Sequence, residues 1–213
     1  MADSLDDPTL ATLGQYTPEG HLTPGYGNSY LFFVGRDDVH GILLHLITNE
    51  KLSLKLNMFG FDDDELNQAI LALFKVPSVH VQISLDRSQA GGVHEKSILA
   101  ADQAQDPTDF ANSFVILQSA THQISHTKGA VLASQGVYFE GSTNWSSSGE
   151  GTGISLKSDV KNPAGFKAQN NTLLVSTNSV NYRRFQTQLD NEHTIGLLQQ
   201  RVHNAGISKG LAV

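Results

Sequence analysis

The sequence contains no cysteine, which excludes disulfide bonds, thiolate metal ligands and a cysteine nucleophile. It has no run of about 20 apolar residues, so it predicts no transmembrane helix. Basic residues are few, with 14 Lys and Arg against 21 Asp and Glu. This balance argues against a protein that wraps nucleic acid through bulk positive charge, although it is compatible with a local basic cleft.

The length of 213 residues suits one substantial core and leaves little room for a second domain. Residues 1–28 are rich in Pro, Gly and Thr, which predicts an irregular N-terminal arm. Residues 29–213 are predicted to form the folded domain. Because residues 1–20 lack the basic start and apolar centre of a secretory signal, we expect a cytoplasmic protein.

The first half of the chain predicts an α/β fold. Residues 39–46 have the apolar spacing of a helix, with Asp37 or Asp38 as its cap. Alternating apolar residues at 52–58 and 79–85 predict two strands, separated by a helix that begins at an Asp62 capping box. This order indicates a parallel strand pair with a right-handed crossover. We therefore expect a mixed central sheet flanked by helices.

The second half adds shorter elements. We predict a helix near residues 93–104, strands at 114–118 and 172–176, and a helix over about 180–203. Residues 146–171 are rich in Gly, Ser and Lys and show no sustained alternation. They predict a long loop, and loops of this length are often functional.

A hairpin is predicted between the strand at 114–118 and this loop. Residues 124–133 and 137–145 are two extended runs. The connection of three residues ends in Gly136, where a left-handed conformation is usually required. This connection places Ala133 opposite Val137.

The predicted register brings four polar side chains together. It sets Lys128 opposite Ser142 and His126 opposite Asn144. Residues two apart in a strand share a face, and directly opposed Cβ atoms lie within about 5.5 Å. Any one of these side chains could simply face water, but the four together favour a site.

The residue types in this patch suit a phosphodiester substrate. An imidazole can attack phosphorus, and a lysine can neutralise the non-bridging oxygens. Hydroxyl and amide groups can donate hydrogen bonds to developing charge. Such a patch requires no metal and no cofactor.

The same residues resemble the histidine–lysine signature of the phospholipase D superfamily. The matching segments are His126-Thr127-Lys128 and Gly141-Ser142-Thr143-Asn144-Trp145, which contains the family's Gly-Ser-x-Asn. The resemblance covers roughly residues 30–190 and implies a phospholipase D-like α/β/α sandwich. It implies catalytic roles for His126, Lys128, Ser142 and Asn144, and we further predict substrate contacts from Gly141, Trp145 and Glu140.

Family membership would also imply a mechanism and an assembly. His126 would form a phosphohistidine intermediate, and His126 of a second subunit would protonate the leaving oxygen. A lone motif then implies a homodimer. The family normally has an Asp where this chain has Ala133, and we consider Glu140 or Glu150 as a replacement carboxylate.

Three functions fit these observations. The first is a metal-independent endonuclease acting on DNA or RNA, favoured by the single motif and the lack of an apolar lipid-binding segment. The second is a phospholipid-cleaving enzyme, because the same chemistry serves any phosphodiester. The third is a non-catalytic protein that binds phosphate or nucleic acid, suggested by Ala133.

No metal site is predicted elsewhere. His122 and His126 are four residues apart, about 13 Å along a strand, which is too far for one ion. The acidic run at residues 62–65 is expected to cap the following helix and to interact with its dipole.

Overall fold

The computed structural model describes residues 5–87, 92, 93, 96–98, 100, 101, 112–117, 125–152 and 167–208. The strands are β1 (Ser29–Phe33), β2 (Ser53–Met58), β3 (Phe61–Asp62), β4 (His80–Asp86), β5 (Asn112–Leu117), β6 (Gly129–Leu132), β7 (Val137–Gly141), β8 (Trp145–Ser146) and β9 (Thr172–Ser176). The helices are α1 (Pro8–Ala11), a 3-10 helix (Thr12–Tyr16), α2 (Val39–Thr48), α3 (Asp64–Phe74), α4 (Ser147–Glu150) and α5 (Ser179–Ser208). Within these ranges, no helix is both long and apolar enough to cross a bilayer.

Seven strands form one mixed sheet in the order β1-β9-β7-β6-β2-β4-β5. Strands β2, β4 and β5 are parallel to one another, whereas the remaining pairs are antiparallel. Strands β3 and β8 form a separate parallel pair. The predicted α/β class and the parallel pairing of β2 with β4 are confirmed.

Local sequence explains where the two central helices begin. The carboxylate of Asp38 accepts a hydrogen bond from the Gly41 amide at 2.9 Å and so caps α2, as predicted. Helix α3 is capped by Asp63, whose Oδ1 accepts from the Leu66 amide at 2.8 Å. The prediction of Asp62 as this cap is wrong, because Asp62 is still part of β3.

The sheet separates two clusters of buried apolar residues, one on each face. Ala130 and Leu132 of β6 belong to the larger core, which also includes Ile42 of α2 and Ile70 of α3. Val131 faces the other side, where a smaller cluster includes Tyr138 and Leu189 of α5. Successive strand residues point to opposite faces, so both faces of the sheet are covered. This is the predicted sandwich of helices around a sheet.

Part of the N-terminal stretch is helical. Asp7 caps α1 by accepting a hydrogen bond from the Thr9 amide at 2.8 Å, and Pro8 occupies the first helical position. Leu10 and Leu13 are buried in the larger core. These turns correct the expectation of irregular structure here, whereas the domain boundary at residue 28 stays a prediction.

The later elements follow the predicted order. Strand β9 spans the predicted residues 172–176, and α5 extends the predicted helix at both ends. Strand β5 begins two residues before the prediction. The described residues between 93 and 101 are helical. The predicted loop contains α4, and its residues 153–166 lie outside the described residues.

A buried histidine holds α5 against the parallel strands. His193 is 4% exposed, and its ring nitrogens lie 3.0 Å from Ser84 Oγ and 2.7 Å from Ser113 Oγ. Burial lowers the pKa of His193 from 6.5 to about 4. The neutral imidazole is therefore the form that the fold accommodates.

This histidine should make the protein less stable in mild acid. Between pH 6.5 and about 4, the unfolded chain binds a proton that the folded chain does not, so the free energy of unfolding falls as the pH falls. The decrease in the free energy of unfolding that His193 contributes should reach about 3 kcal/mol. Urea unfolding at several pH values, compared with His193→Gln, measures it. The variant should lose less stability across this window, and equal slopes would contradict the assignment.

Candidate active site

The β6–β7 hairpin positions the predicted catalytic residues, but its register differs from the prediction by one residue. Leu132 faces Val137 directly, so the connection contains four residues rather than three. Two contacts with the β2 edge fix this longer turn. The Ala133 amide donates to Ser53 O at 3.0 Å, and the Ser134 amide donates to Glu50 Oε1 at 3.0 Å.

The shifted register changes the predicted partners. Lys128 lies beside Gly141, whose amide donates to Lys128 O at 3.2 Å, and not beside Ser142. The pairing of β6 with β7 also ends at Gly129 and Glu140, so the motif residues lie just beyond the paired residues of these two strands. The prediction of one continuous hairpin through Trp145 is therefore wrong, because Trp145 pairs with Phe61 in the second, smaller sheet.

Phe59 brings His126 and Lys128 together. The rings of Phe59 and His126 meet edge to face with centroids 4.5 Å apart. The Lys128 ammonium lies 5.0 Å from the centroid of the same ring and donates a hydrogen bond to His126 O at 2.9 Å. The aromatic ring thus fixes the imidazole and the cation of the motif relative to each other.

Burial sets the electrostatics of this pair. Lys128 is 4% exposed, and desolvation lowers the pKa of its ammonium. The His126 side chain is exposed and accessible to a ligand. Lys128 forms no salt bridge with an acid in the described part of the chain. A desolvated cation beside an accessible imidazole suits an anionic ligand.

Asn144 reaches the same region through Gly60. A Cβ on Gly60 would lie 3.2 Å from Asn144 Oδ1, so the glycine permits this close approach. The Trp145 amide donates to Gly60 O at 2.8 Å and holds the segment in place. Asn144 Oδ1 is buried and has no hydrogen-bond partner among the described residues. The same side chain carries an NH2 group, a donor suited to a phosphate oxygen.

Ser142 is held by β9. Its amide donates to Thr172 O at 3.1 Å, and its Oγ accepts from the Thr172 amide at 3.0 Å. The hydroxyl proton is not used in either bond and can be donated to a ligand. Thr143 Oγ1 also donates to Thr172 O, at 3.0 Å, so β9 holds two successive residues of the motif.

A buried polar network fixes the backbone that leads into His126. The Ser125 amide donates to Asp86 Oδ2 at 2.7 Å. Asn57, which is fully buried, donates to Ser125 Oγ at 3.1 Å and to the Glu192 carboxylate. Strands β2 and β4 and helix α5 therefore converge on the segment just before the motif. This rigidity suits a residue whose side chain must be accurately placed.

The three predicted substrate contacts occupy different environments. Trp145 is 1% exposed and packs against Phe61 and Phe139, so its side chain belongs to the core, and a substrate contact from this residue stays a prediction. A Cβ on Gly141 would lie 2.1 Å from Thr172 O, so this glycine allows close packing on β9. Glu140 is exposed on β7, where its role as a substrate contact stays a prediction.

Neither candidate replacement carboxylate bonds to His126 in the described part of the chain. Glu150 Oε2 instead lies 2.6 Å from His40 Nδ1. This hydrogen bond, opposed in part by desolvation, raises the pKa of His40 to about 9. Burial raises the pKa of Glu150 to about 7. Glu150 therefore belongs to a second polar cluster.

Sequence reasoning missed Phe59 and Gly60. They follow β2 directly, and β2 runs antiparallel to β6 with Asn57 paired to Gly129. The end of β2 therefore lies beside the start of β6, where the motif is found. The periodicity of each strand is visible in the sequence, but the pairing of β2 with β6 is not.

Known structures share this fold. NucT from Helicobacter pylori superposes with a TM-score of 0.57 and 18% identity over 77% of this chain and 94% of that one. Nuc from Salmonella typhimurium, a phospholipase D family member, gives a TM-score of 0.53 and 15% identity over 79% and 96% of the two chains. Phosphatidylserine synthase from Haemophilus influenzae Rd KW20 superposes with a TM-score of 0.54 and 13% identity, over 75% of this chain and 36% of that one.

These similarities establish the fold, and the predicted likeness to the phospholipase D superfamily is confirmed at that level. No protein-family model and no curated protein sequence matches the chain.

Proposed function

We propose that the chain is a phosphodiesterase of the phospholipase D type that cleaves nucleic acid without a catalytic metal. The observation that carries the proposal is the grouping of His126 and Lys128 around Phe59, with Asn144 against the adjoining Gly60. The nucleophile, the cation and an amide are the groups that phosphodiester cleavage through a covalent intermediate requires. The shared fold with Nuc supports the same chemistry.

The reaction would proceed in two balanced steps. A nitrogen of His126 forms a bond to phosphorus while the bond from phosphorus to the leaving oxygen breaks, and a second imidazole gives that oxygen a proton. Water then attacks phosphorus, the bond to His126 breaks, and the second imidazole takes the proton from water. Lys128, Ser142 and Asn144 stabilise the charge on the non-bridging oxygens in both steps.

The second imidazole would come from a second copy of the chain. His126 cannot attack phosphorus and protonate the leaving oxygen in the same step, and the sequence contains one His-x-Lys with a following Gly-Ser-x-Asn. A two-fold axis beside the exposed His126 would bring two copies of the motif together. The proposed enzyme is therefore a homodimer.

The proposed substrate is tested by a panel of phosphodiesters in EDTA. Purified protein is incubated with plasmid, single-stranded DNA, RNA and phosphatidylcholine vesicles. We expect cleavage of at least one nucleic acid to persist in EDTA, because the residues proposed to act supply both the nucleophile and the charge stabilisation. Asn144→Ala should lose most of this activity, whereas Glu19→Gln on the exposed surface should retain it.

The panel also decides between the alternatives. Cleavage confined to the vesicles would replace the nuclease by a phospholipid-cleaving enzyme. Tight binding of nucleic acid with no cleavage would favour the third hypothesis, a non-catalytic binding protein, which the Ala133 in place of Asp suggests. Activity that appears only with an added divalent ion would contradict the proposed mechanism.

A further inference from the structure

Three side chains from separate helices converge at a second polar cluster. His40 lies in the first turn of α2, Asp63 caps α3, and Glu150 is the last residue of α4. One ligand atom from each lies within 4.8 Å of the other two. His40 Nδ1 is 2.6 Å from Glu150 Oε2 and 3.5 Å from Asp63 Oδ2.

The cluster is buried. The exposed fractions of the three side chains are 12% for His40, 7% for Asp63 and 0% for Glu150. Glu150 Oε1 is buried and has no hydrogen-bond partner among the described residues. An unpaired carboxylate oxygen in such a place is costly, and a bound cation would compensate for the loss of water.

Asp63 has two separate roles for its two oxygens. Oδ1 accepts the hydrogen bond from the Leu66 amide that caps α3. Oδ2 faces His40 and takes no part in the cap. The expected role of the acidic run at the helix start therefore explains Oδ1 of Asp63. It does not explain Oδ2, which is available to a metal ion.

A further carboxylate orients the imidazole. Glu65 Oε2 lies 3.1 Å from His40 Nε2, on the side of the ring away from Glu150. Histidines that bind metals almost always donate their second N–H to such a partner, which leaves the other nitrogen free for the ion. The cluster also places three carboxylates around one imidazole, an excess of negative charge that a divalent cation would neutralise.

We propose that His40, Asp63 and Glu150 form a binding site for one divalent first-row metal ion, with Zn²⁺ the best match. Zn²⁺ accepts imidazole nitrogen and carboxylate oxygen as ligands, and its open sites combine three protein ligands with one water. Calcium and magnesium prefer sites made of oxygen atoms alone. Neighbouring ligand atoms of tetrahedral zinc lie about 3.3 Å apart. The His40–Asp63 distance is close to this value, and the His40–Glu150 distance must open by less than about 1 Å.

The ion would act on structure. It would join α2, α3 and α4, and α4 follows directly on β8 and the Asn144 segment. Bound Zn²⁺ would therefore stabilise the part of the chain that carries Asn144. The proposal is tested by zinc affinity and unfolding temperature, and neither measurement depends on whether His126 cleaves a substrate.

Zinc titration tests the proposal directly. Protein without a polyhistidine tag is treated with chelator, dialysed and titrated with ZnCl₂ in a calorimeter at pH 7.5. We expect one ion per chain and a higher unfolding temperature with Zn²⁺. Glu150→Gln and Asp63→Asn should each weaken binding by roughly a hundredfold or more, because each removes the negative charge of a proposed ligand. Asn can still cap α3, so Asp63→Asn should remain folded.

Glu19→Gln is the matched control, because it removes an exposed carboxylate that pairs with Arg36 and with none of the three proposed ligands. Its zinc affinity should equal that of the wild type, and circular dichroism should show that all variants fold. The proposal is overturned if the wild type shows no saturable binding. It is also overturned if Glu150→Gln and Asp63→Asn both bind Zn²⁺ as tightly as the wild type, since the ion then lies elsewhere.

Discussion

Replacing His126 with Ala should abolish cleavage of the phosphodiester substrate. The imidazole is the proposed nucleophile in one half-site and the proposed acid in the other, so its loss removes both functions from every dimer. Loss of a nucleophile that forms a covalent intermediate typically costs several orders of magnitude in rate. Single-turnover cleavage measured with enzyme in excess provides the comparison with wild type.

Folding and assembly should survive this change. The His126 side chain is exposed and contributes little core packing beyond its contact with the Phe59 ring. Light scattering should give the mass of two chains for both proteins. His80→Ala removes another exposed histidine, on β4, and should cleave at the wild-type rate. A His126→Ala protein that cleaves normally would rule out the proposed nucleophile.

Replacing Lys128 with Ala should slow cleavage by roughly a hundredfold or more, on the order of 3 kcal/mol in transition-state free energy. The buried ammonium is the proposed partner of the non-bridging oxygens, and its charge acts with little screening by water. The same group donates to His126 O, so part of the loss should come from a less fixed nucleophile. The measurement is kcat on saturating substrate.

A second variant separates charge from packing. Lys128→Met keeps most of the aliphatic stem over Phe59 and removes the ammonium, so it should lose activity to a similar extent while remaining closer to wild type in unfolding temperature. Lys75→Ala changes an exposed lysine after α3 and should have no effect on kcat. Full activity in Lys128→Met would show that the charge is not used.

Local patterns carried most of the fold prediction. Alternation over 52–58 and 79–85 marks β2 and β4 because each strand has a face covered by the larger core. Asp38 caps α2 where the apolar spacing begins, so the start of that helix follows from nearby residues. Such features depend on neighbours in sequence, which periodicity can detect.

The hairpin register could not be predicted in the same way. Its turn is fixed by Glu50 and Ser53, which lie about 80 positions earlier in the chain and accept hydrogen bonds from Ser134 and Ala133. A one-residue difference in loop length then moves Lys128 from Ser142 to Gly141. Contacts between distant segments leave no periodic trace in the sequence.

In the candidate site, too, some residues could be predicted from the local sequence and others depend on contacts between distant segments. Residue type and spacing identify the four catalytic candidates, whereas Phe59 joins them only through the pairing of β2 with β6. The place of Trp145 in the motif says nothing about the direction of its side chain, which packs on Phe61. The cluster of His40 with Asp63 and Glu150 joins residues up to 110 positions apart.

Trapping of the covalent intermediate tests the central claim most directly. A substrate labelled with ³²P at the scissile phosphate is mixed with excess enzyme and quenched in alkali, and the labelled peptide is identified by mass spectrometry. We expect base-stable and acid-labile label on His126 in the wild type and none in His126→Ala. Substrate turnover with no label on any histidine, together with full cleavage by His126→Ala, would contradict the phosphohistidine mechanism.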